Sequence, residues 1–138
     1  MSRVVAIDLG SQRIGIAASD PGRVLASPHS VLQRGRDHDD DHRRIAALVE
    51  ELEAEQVVVG LPLSLDGREG PAAMAVRHEI EELRGVVMVP IEAWDERLST
   101  VSAARGMRAR GVKAKAGRRT IDQEAAAVIL QSWLDARG

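Results

Sequence analysis

The sequence predicts an α/β protein with one mixed β-sheet of five strands and helices on its faces. Three observations lead to this fold class. The run from Arg3 to Leu9 is rich in apolar β-branched residues, which suits a central strand buried on both faces. Two further strand-like segments follow closely, as in a meander. Beyond them strands and helices alternate, which is typical of parallel crossovers.

The first three predicted strands lie close together in the sequence. Gly10 and Ser11 mark a tight turn after the first strand, and residues 14–18 form the second strand of a predicted hairpin. Residues 24–25 and 30–32 are weaker candidates for a third strand, because Pro28 interrupts them.

An amphipathic helix is predicted over residues 42–53, where apolar residues recur at positions i, i+3, i+4 and i+7. The preceding residues 35–41 are polar, and we expect them to be exposed. His38 and His42 stand four residues apart, a spacing that two metal ligands can use on a helix. Because their segment is polar, we favour a solvated surface for both.

The following elements alternate between strand and helix. Residues 56–60 form a buried strand that ends before Pro62, and Pro71 suits the first turn of a second helix. Residues 86–91 predict the fifth strand, at a sheet edge because Pro90 has no N–H to donate to a ladder.

Composition limits the classes of protein that the chain can belong to. The 138 residues, 44% of them apolar, predict a single domain over residues 1–138. The absence of cysteine excludes disulfides, cysteine-ligated zinc and a thiol nucleophile. No apolar run approaches the ~18 residues of a membrane span, and the N-terminus lacks a signal-peptide layout. We therefore expect a soluble cytoplasmic protein with no membrane partner.

Asp8 is the first candidate functional residue. It stands near the carboxyl end of the predicted central strand, where a buried carboxylate is costly without a partner. Ligands of open α/β sheets bind at that edge, and Gly10 permits a close approach to the backbone. The alternative is a turn-forming aspartate that accepts hydrogen bonds from nearby amides. The depth of Asp8 in an apolar run favours a functional role.

Asp95 and Glu96 directly follow the predicted fifth strand. If the first and fifth strands are parallel, this pair and Asp8 converge at one sheet edge. Because side chains alternate along a strand, at most one of the pair should face a shared site. The alternative is that Asp95, Glu96 and Ser99 serve as caps and first-turn acids of a helix over residues 99–110.

Asp122 is the third candidate carboxylate. It belongs to a capping-box pattern, residues 120–123, that predicts the start of the last helix, and it stands one turn before Ala126. On its own it would be a first-turn acid that favours the helix dipole. Three carboxylates at one sheet edge instead predict a site for Mg²⁺ or Mn²⁺, with two ions able to promote phosphodiester hydrolysis.

A basic segment separates Glu96 from Asp122. Residues 97–119 include eight basic residues and no acid, although the net charge of the chain is only −2. We expect this segment to bind nucleic-acid phosphates, which positions a backbone without reading its sequence. A solvated surface is the alternative. The candidate contacts are Arg97, Arg105, Arg108, Arg110, Lys113, Lys115, Arg118 and Arg119.

Four motifs together resemble one known family across essentially the whole chain. They are Asp8-Leu9-Gly10 with Gly15, Val59-Gly60-Leu61-Pro62-Leu63, Asp95-Glu96-Arg97-Leu98-Ser99-Thr100, and Asp122 with Ala126. In this order they resemble the YqgF/RuvX family of Holliday junction resolvases, also described as pre-16S rRNA nucleases.

The resemblance implies a ribonuclease H-like fold and metal-dependent hydrolysis of nucleic-acid phosphodiesters. Asp8, Glu96 and Asp122 would be the catalytic, metal-binding acids, with Asp95 a less certain neighbour. The implied task is 5′-end processing of pre-16S rRNA, with junction resolution in DNA as the alternative. The partner would be structured RNA or branched DNA, bound by a monomer or a weak homodimer.

Two other functions remain open at the level of sequence. A non-catalytic nucleic-acid-binding factor would keep the basic segment and make the three acids structural. A relative of the actin and sugar-kinase fold would also place Asp-x-Gly after its first strand. That fold needs a second domain to enclose a nucleotide, for which 138 residues leave no room.

Overall fold

The computed structural model describes residues 3–98 and 115–137, without the side chains of residues 115–123. Its elements are β1 (Arg3–Leu9), β2 (Arg13–Ser19), β3 (Ala26–Gln33), α1 (His38–Glu51), β4 (Ala54–Leu61), α2 (Pro71–Leu83), β5 (Ile91–Asp95), a 3-10 turn (Glu96–Leu98) and α3 (Lys115–Arg137). No helix in these ranges is both long and apolar enough to span a bilayer.

The strands form one five-stranded mixed sheet in the order β3-β2-β1-β4-β5. The pairs β1–β2 and β2–β3 are antiparallel, as the predicted meander requires. The pairs β1–β4 and β4–β5 are parallel, so β1 and β5 run in the same direction. The predicted sheet is therefore confirmed, with the apolar strand β1 at its centre.

The two faces of the sheet have separate cores because side chains alternate along each strand. Val5, Ile7 and Leu9 of β1 face α1 and α2. Val4 and Ala6 face α3. The alternation places Asp8, the next residue in this second series, on the α3 face of the sheet.

The third strand is one continuous element, and not the two short candidates that the sequence suggested. Residues 24–25 precede it and belong to a turn, in which their backbone N–H groups each donate to Asp20 Oδ1 at 2.8 Å. Pro28 lies inside β3, opposite Ala17, where the register shifts. The strand tolerates this proline because β3 is at the edge of the sheet.

The predicted bounds of the fifth strand were wrong, although its edge position is correct. The strand covers Ile91–Asp95 instead of residues 86–91. The N–H groups of Val86 and Val87 both donate to Leu83 O at the end of α2, so neither is available for a sheet ladder. Pairing with β4 begins at Ile91, directly after Pro90.

Two helix starts also differ from the predictions. Helix α1 begins at His38 and is capped by Asp37, which accepts a hydrogen bond from Asp40 N at 2.8 Å. Helix α3 begins at Lys115, so the predicted capping box lies inside it. An internal glycine such as Gly117 costs only about 1 kcal/mol and does not end a helix. The helix predicted over residues 99–110 lies outside the described residues.

Candidate functional site

Asp8 lies near the carboxyl end of β1 and is buried, with 3% of its surface exposed. It pairs with Gly15 across the hairpin. Gly10 then closes the turn, because its N–H donates to Asp8 O at 3.1 Å and to Arg13 O at 2.9 Å. A Cβ at Gly10 would lie 2.6 Å from Arg13 O, so this turn requires glycine.

Glu96 begins the 3-10 turn after β5 and is also buried, with 2% exposed. Its carboxylate lies above Gly60 of β4. A Cβ built on Gly60 would be 2.9 Å from Glu96 Oε1 and 2.5 Å from Ile129 Cδ1. Ile129 belongs to α3 and packs with Val58. Glu96 therefore lies on the α3 face of the sheet.

The structure thus brings Asp8 and Glu96 to the same edge and the same face of the sheet. Because β1, β4 and β5 are parallel, their carboxyl ends meet there. The backbone of Asp122 belongs to α3, one turn before Ala126, which packs on that face. Its side chain is outside the described part of the chain.

Asp95 has different surroundings from its neighbour Glu96. Its carboxylate accepts hydrogen bonds from Arg97 Nε at 3.0 and 3.1 Å and from Nη2 at 2.7 Å. The Arg97 guanidinium holds the pKa of Asp95 below its usual range. Asp95 is thus tied to Arg97, whereas Glu96 is enclosed between Gly60 and α3.

Arg97 is the one predicted phosphate contact whose side chain the structure describes. Besides its bonds to Asp95, it lies 3.4 Å from Leu65 O and packs beside Gly67. Its side chain is 35% exposed. Arg105, Arg108, Arg110 and Lys113 lie outside the described residues. The backbones of Lys115, Arg118 and Arg119 belong to the first turns of α3, but their side chains are not described.

A cleft of about 630 Å³ opens beside Glu96. Gly10 and Ser11 of the turn after β1 line one end, and Gly60 lies on its floor. The opposite wall comes from α1 and α2, including His38 and Glu79. The cleft therefore connects the edge that carries Glu96 with the space between α1 and α2.

Arg34, which follows β3, ties this wall to the turn after β1. Its Nε donates to Gly10 O at 3.0 Å. Its Nη1 and Nη2 donate to the two oxygens of Glu79 at 2.6 and 2.9 Å, and Nη1 also donates to Asp41 at 3.2 Å. Burial alone would raise the pKa of Glu79, but the hydrogen bonds from Arg34 and His42 outweigh burial and lower it.

The predicted solvated surface for His38 and His42 was wrong in part. His42 is only 2% exposed and pairs with Glu79, 2.7 Å from its Oε2. His38 is partly exposed and pairs with Glu82 at 2.9 Å. The burial of His42 could have been inferred from spacing, because position 42 continues the buried stripe of Ile45 by one turn.

Comparison with known proteins points to one family. The model of the family described as "RuvX: Holliday junction resolvase" matches residues 2–136. A relative from Streptomyces coelicolor is 51% identical over 134 residues, covering 96% of this chain and 80% of its own. A relative from Mycobacterium sp. (strain KMS) is 52% identical over 136 residues, covering 98% and 80%. Both carry the provisional name pre-16S rRNA nuclease.

Solved structures agree on the fold. The Thermus thermophilus RuvC in complex with a Holliday junction substrate superposes with a TM-score of 0.60 and 16% identity, covering 99% of this chain and 96% of that chain. A second structure of RuvC from this organism gives a TM-score of 0.51 and 19% identity, covering 98% and 95%. RuvC has a ribonuclease H-like fold, so the predicted fold class is confirmed.

Proposed function

Because the chain belongs to the RuvX family of Holliday junction resolvases, we propose that it is a metal-dependent nuclease that processes the 5′ end of pre-16S rRNA. The observation that carries this proposal is the placement of two buried acids, Asp8 and Glu96, on one face of the sheet at the carboxyl edge of three parallel strands. Ligands of open α/β sheets bind at this edge. We take the RNA substrate of this proposal from the name of the relatives, pre-16S rRNA nuclease.

The residues at this edge fit a divalent ion. Asp8 and Glu96 offer hard carboxylate oxygens, the donors that Mg²⁺ and Mn²⁺ prefer. Gly60 leaves the space that the Glu96 carboxylate occupies. Asp122 would add a third carboxylate from α3, and a set of three can hold two ions. Bound there, Mg²⁺ or Mn²⁺ would activate a water molecule and stabilise the leaving oxygen of a phosphodiester.

The residues of the chain have separate tasks in this proposal. Asp8 is held by β1, and its position is fixed by the Gly10 turn, which Arg34 contacts at Gly10 O. Glu96 would hold metal or accept the proton of the attacking water. The basic residues of segment 97–119 would bind the phosphate backbone on either side of the cleaved bond. Arg97 would do so only by sharing its guanidinium with Asp95.

A second substrate, the four-way DNA junction, is favoured by one observation. The fold matches that of a RuvC bound to a Holliday junction over nearly the whole of both chains. Symmetric cutting of a junction requires two copies related by a two-fold axis. A chain that acts on pre-16S rRNA can work as a monomer, so a monomer or weak homodimer is consistent with the leading proposal.

The experiment incubates purified protein with labelled pre-16S rRNA and, separately, with a labelled four-way DNA junction. Each substrate is tested with Mg²⁺, Mn²⁺ or chelator, alongside the Asp8→Asn variant. We expect cleavage of the RNA that requires metal and is lost in the variant. If the protein cleaves the junction in preference to the RNA, the proposed function would be junction resolution and not RNA processing.

A binding assay on the same samples separates a nuclease from a binding factor. Binding of both nucleic acids without cleavage, unchanged by chelator and by Asp8→Asn, would contradict the nuclease proposal. The carboxylates of Asp8, Glu96 and Asp122 would then have a structural role and no catalytic one. The circular dichroism spectrum of Asp8→Asn is the control for folding.

A further inference from the structure

Two histidines and a glutamate meet between α1 and α2, where His38 and Glu79 line the cleft. One ligand atom from each of His38, His42 and Glu79 lies within 4.8 Å of the others, the one group of three such donors this close together among the described residues. We propose that these side chains, with Glu82, bind a zinc-class divalent cation. We call them the α1–α2 cluster. This inference goes beyond the proposed nuclease function and does not depend on it.

Helical spacing directs the four side chains of the cluster toward one another. His38 and His42 are four residues apart on α1, and their ring centroids are 5.4 Å apart. Glu79 and Glu82 are three residues apart on α2. The two pairs meet across the helices, with His42 Nε2 at 2.7 Å from Glu79 and His38 Nδ1 at 2.9 Å from Glu82. Each histidine is therefore already in contact with a carboxylate.

The side chains need only small movements to coordinate zinc. With Zn–N bonds of about 2.0–2.1 Å, the ligand atoms of a tetrahedral site are roughly 3.3 Å apart. The His42–Glu79 contact would open slightly from 2.7 Å, and the widest separation among His38, His42 and Glu79 would close from at most 4.8 Å. His38 can supply most of this movement, because its side chain is 52% exposed.

The charges around the cluster permit a cation. Glu79 also binds Arg34, and this guanidinium is the main electrostatic obstacle. However, Arg34 is shared with Asp41, which Arg44 also contacts at 2.6 Å. Together with Glu82, three carboxylates face two guanidinium groups, and the hydrogen bond to Glu82 raises the pKa of His38, so a metal would have to displace a proton from that ring. A metal would displace Arg34 Nη1 from Glu79 Oε2, to which it donates at 2.6 Å, while Arg34 Nη2 keeps Oε1, its partner at 2.9 Å.

The donor set distinguishes this cluster from the carboxylate edge. Imidazole nitrogen suits zinc, whereas Mg²⁺ prefers oxygen donors. His38 and Glu79 line the cleft, which gives an ion a route from solvent. A bound ion would link α1 to α2 and thereby stabilise the wall opposite Gly10. Zinc would act there as a structural ion, while Mg²⁺ or Mn²⁺ would serve the Asp8–Glu96 edge.

The test measures zinc binding to the full chain after removal of any histidine tag. Protein dialysed against chelator is titrated with Zn²⁺ by calorimetry, and with Co²⁺ by visible absorption, which reports tetrahedral coordination. We expect a saturable tetrahedral site that Asp8→Asn retains, and a rise in melting temperature on binding. His38→Gln should weaken binding by roughly tenfold or more. Because His38 is partly exposed, this variant should fold normally, and circular dichroism checks it.

Matched controls make the assignment specific. His29→Gln and His78→Gln remove histidines outside the cluster and should bind zinc as the parent does. Asp8→Asn should also bind zinc normally, which separates this site from the proposed nuclease centre. The proposal is overturned if the parent shows no saturable binding, if His38→Gln and His42→Gln both bind unchanged, or if Asp8→Asn abolishes binding.

Discussion

The carboxylate of Glu96 occupies the space that a side chain at position 60 would fill. A Cβ at Gly60 would lie 2.9 Å from Glu96 Oε1, closer than such contacts normally come. The sequence Val59-Gly60-Leu61-Pro62 therefore couples the strand β4 to the acid that follows β5. The glycine is required because the sheet, the acid and α3 approach one another at this point.

We expect Gly60→Ala to displace both Ile129 Cδ1, at 2.5 Å, and the Glu96 carboxylate, and to lower the free energy of unfolding by about 1–3 kcal/mol, as overpacking of a core does. Cleavage should fall together with stability, because the displaced carboxylate is the proposed metal ligand or base. Urea denaturation and a cleavage assay measure the two effects. Gly70→Ala is the control, since nothing lies within 4 Å of a Cβ there, and it should cost less than about 1 kcal/mol. Equal effects of the two variants would argue against this coupling.

The neighbouring acids Asp95 and Glu96 should differ in their contribution to cleavage. Glu96→Gln keeps the shape of the side chain but removes its charge, and we expect it to slow cleavage by about 100-fold or more. Asp95→Asn should retain activity within a few-fold, because Asp95 is bound to Arg97. Single-turnover rates at saturating metal measure both. A larger loss of cleavage rate in Asp95→Asn than in Glu96→Gln would mean that Asp95, and not Glu96, is the metal ligand or base.

Arg34 is expected to be important for stability because it contacts two buried carboxylates. Arg34→Met leaves Glu79, 4% exposed, without its guanidinium partner, and breaking a buried pair of this kind costs about 3–5 kcal/mol. The double variant Arg34→Met/Glu79→Leu should recover part of this loss, because no unpaired charge then remains at position 79. Urea denaturation of the parent, the two single variants Arg34→Met and Glu79→Leu, and the double variant measures the coupling.

Arg36→Met is a matched control for Arg34→Met, since Arg36 is an exposed arginine two residues away. It should change the free energy of unfolding by no more than about 0.5 kcal/mol. If Arg34→Met were no less stable than Arg36→Met, the hydrogen bonds of Arg34 would not be a significant source of stability.

The sequence allowed the sheet and the main candidate acids to be predicted, for local reasons. The apolar run of β1 is buried on both faces, and its direction relative to β5 follows from the crossovers. Helical spacing could have given the burial of His42, but its partner Glu79 is 37 residues away on another helix. The bounds of β5 depend on how α2 ends at Leu83. The contact of His42 with Glu79 is tertiary, and no short window of sequence encodes it, whereas the end of α2 is a local turn that the apolar pattern of residues 86–91 concealed.

The turn after β2 should respond to pH through Asp20. Its side chain accepts hydrogen bonds from Val24 N and Leu25 N, and these backbone donors lower the pKa of Asp20 from its usual value of 3.8. Because the pKa is lower in the folded state, Asp20 contributes stability that is fully present above about pH 4. That contribution is lost as the pH falls through the folded-state pKa.

We therefore expect Asp20→Ala to lower the urea midpoint at pH 7 and to differ less from the parent at pH 3. Asp20→Asn keeps an acceptor oxygen without a titrating group, so it should retain part of the stability at pH 7 and give a flatter pH profile. Urea midpoints measured from pH 2.5 to pH 7 test this sign directly. A difference between parent and Asp20→Ala that grew toward low pH would mean that the charged form of Asp20 does not stabilise the turn.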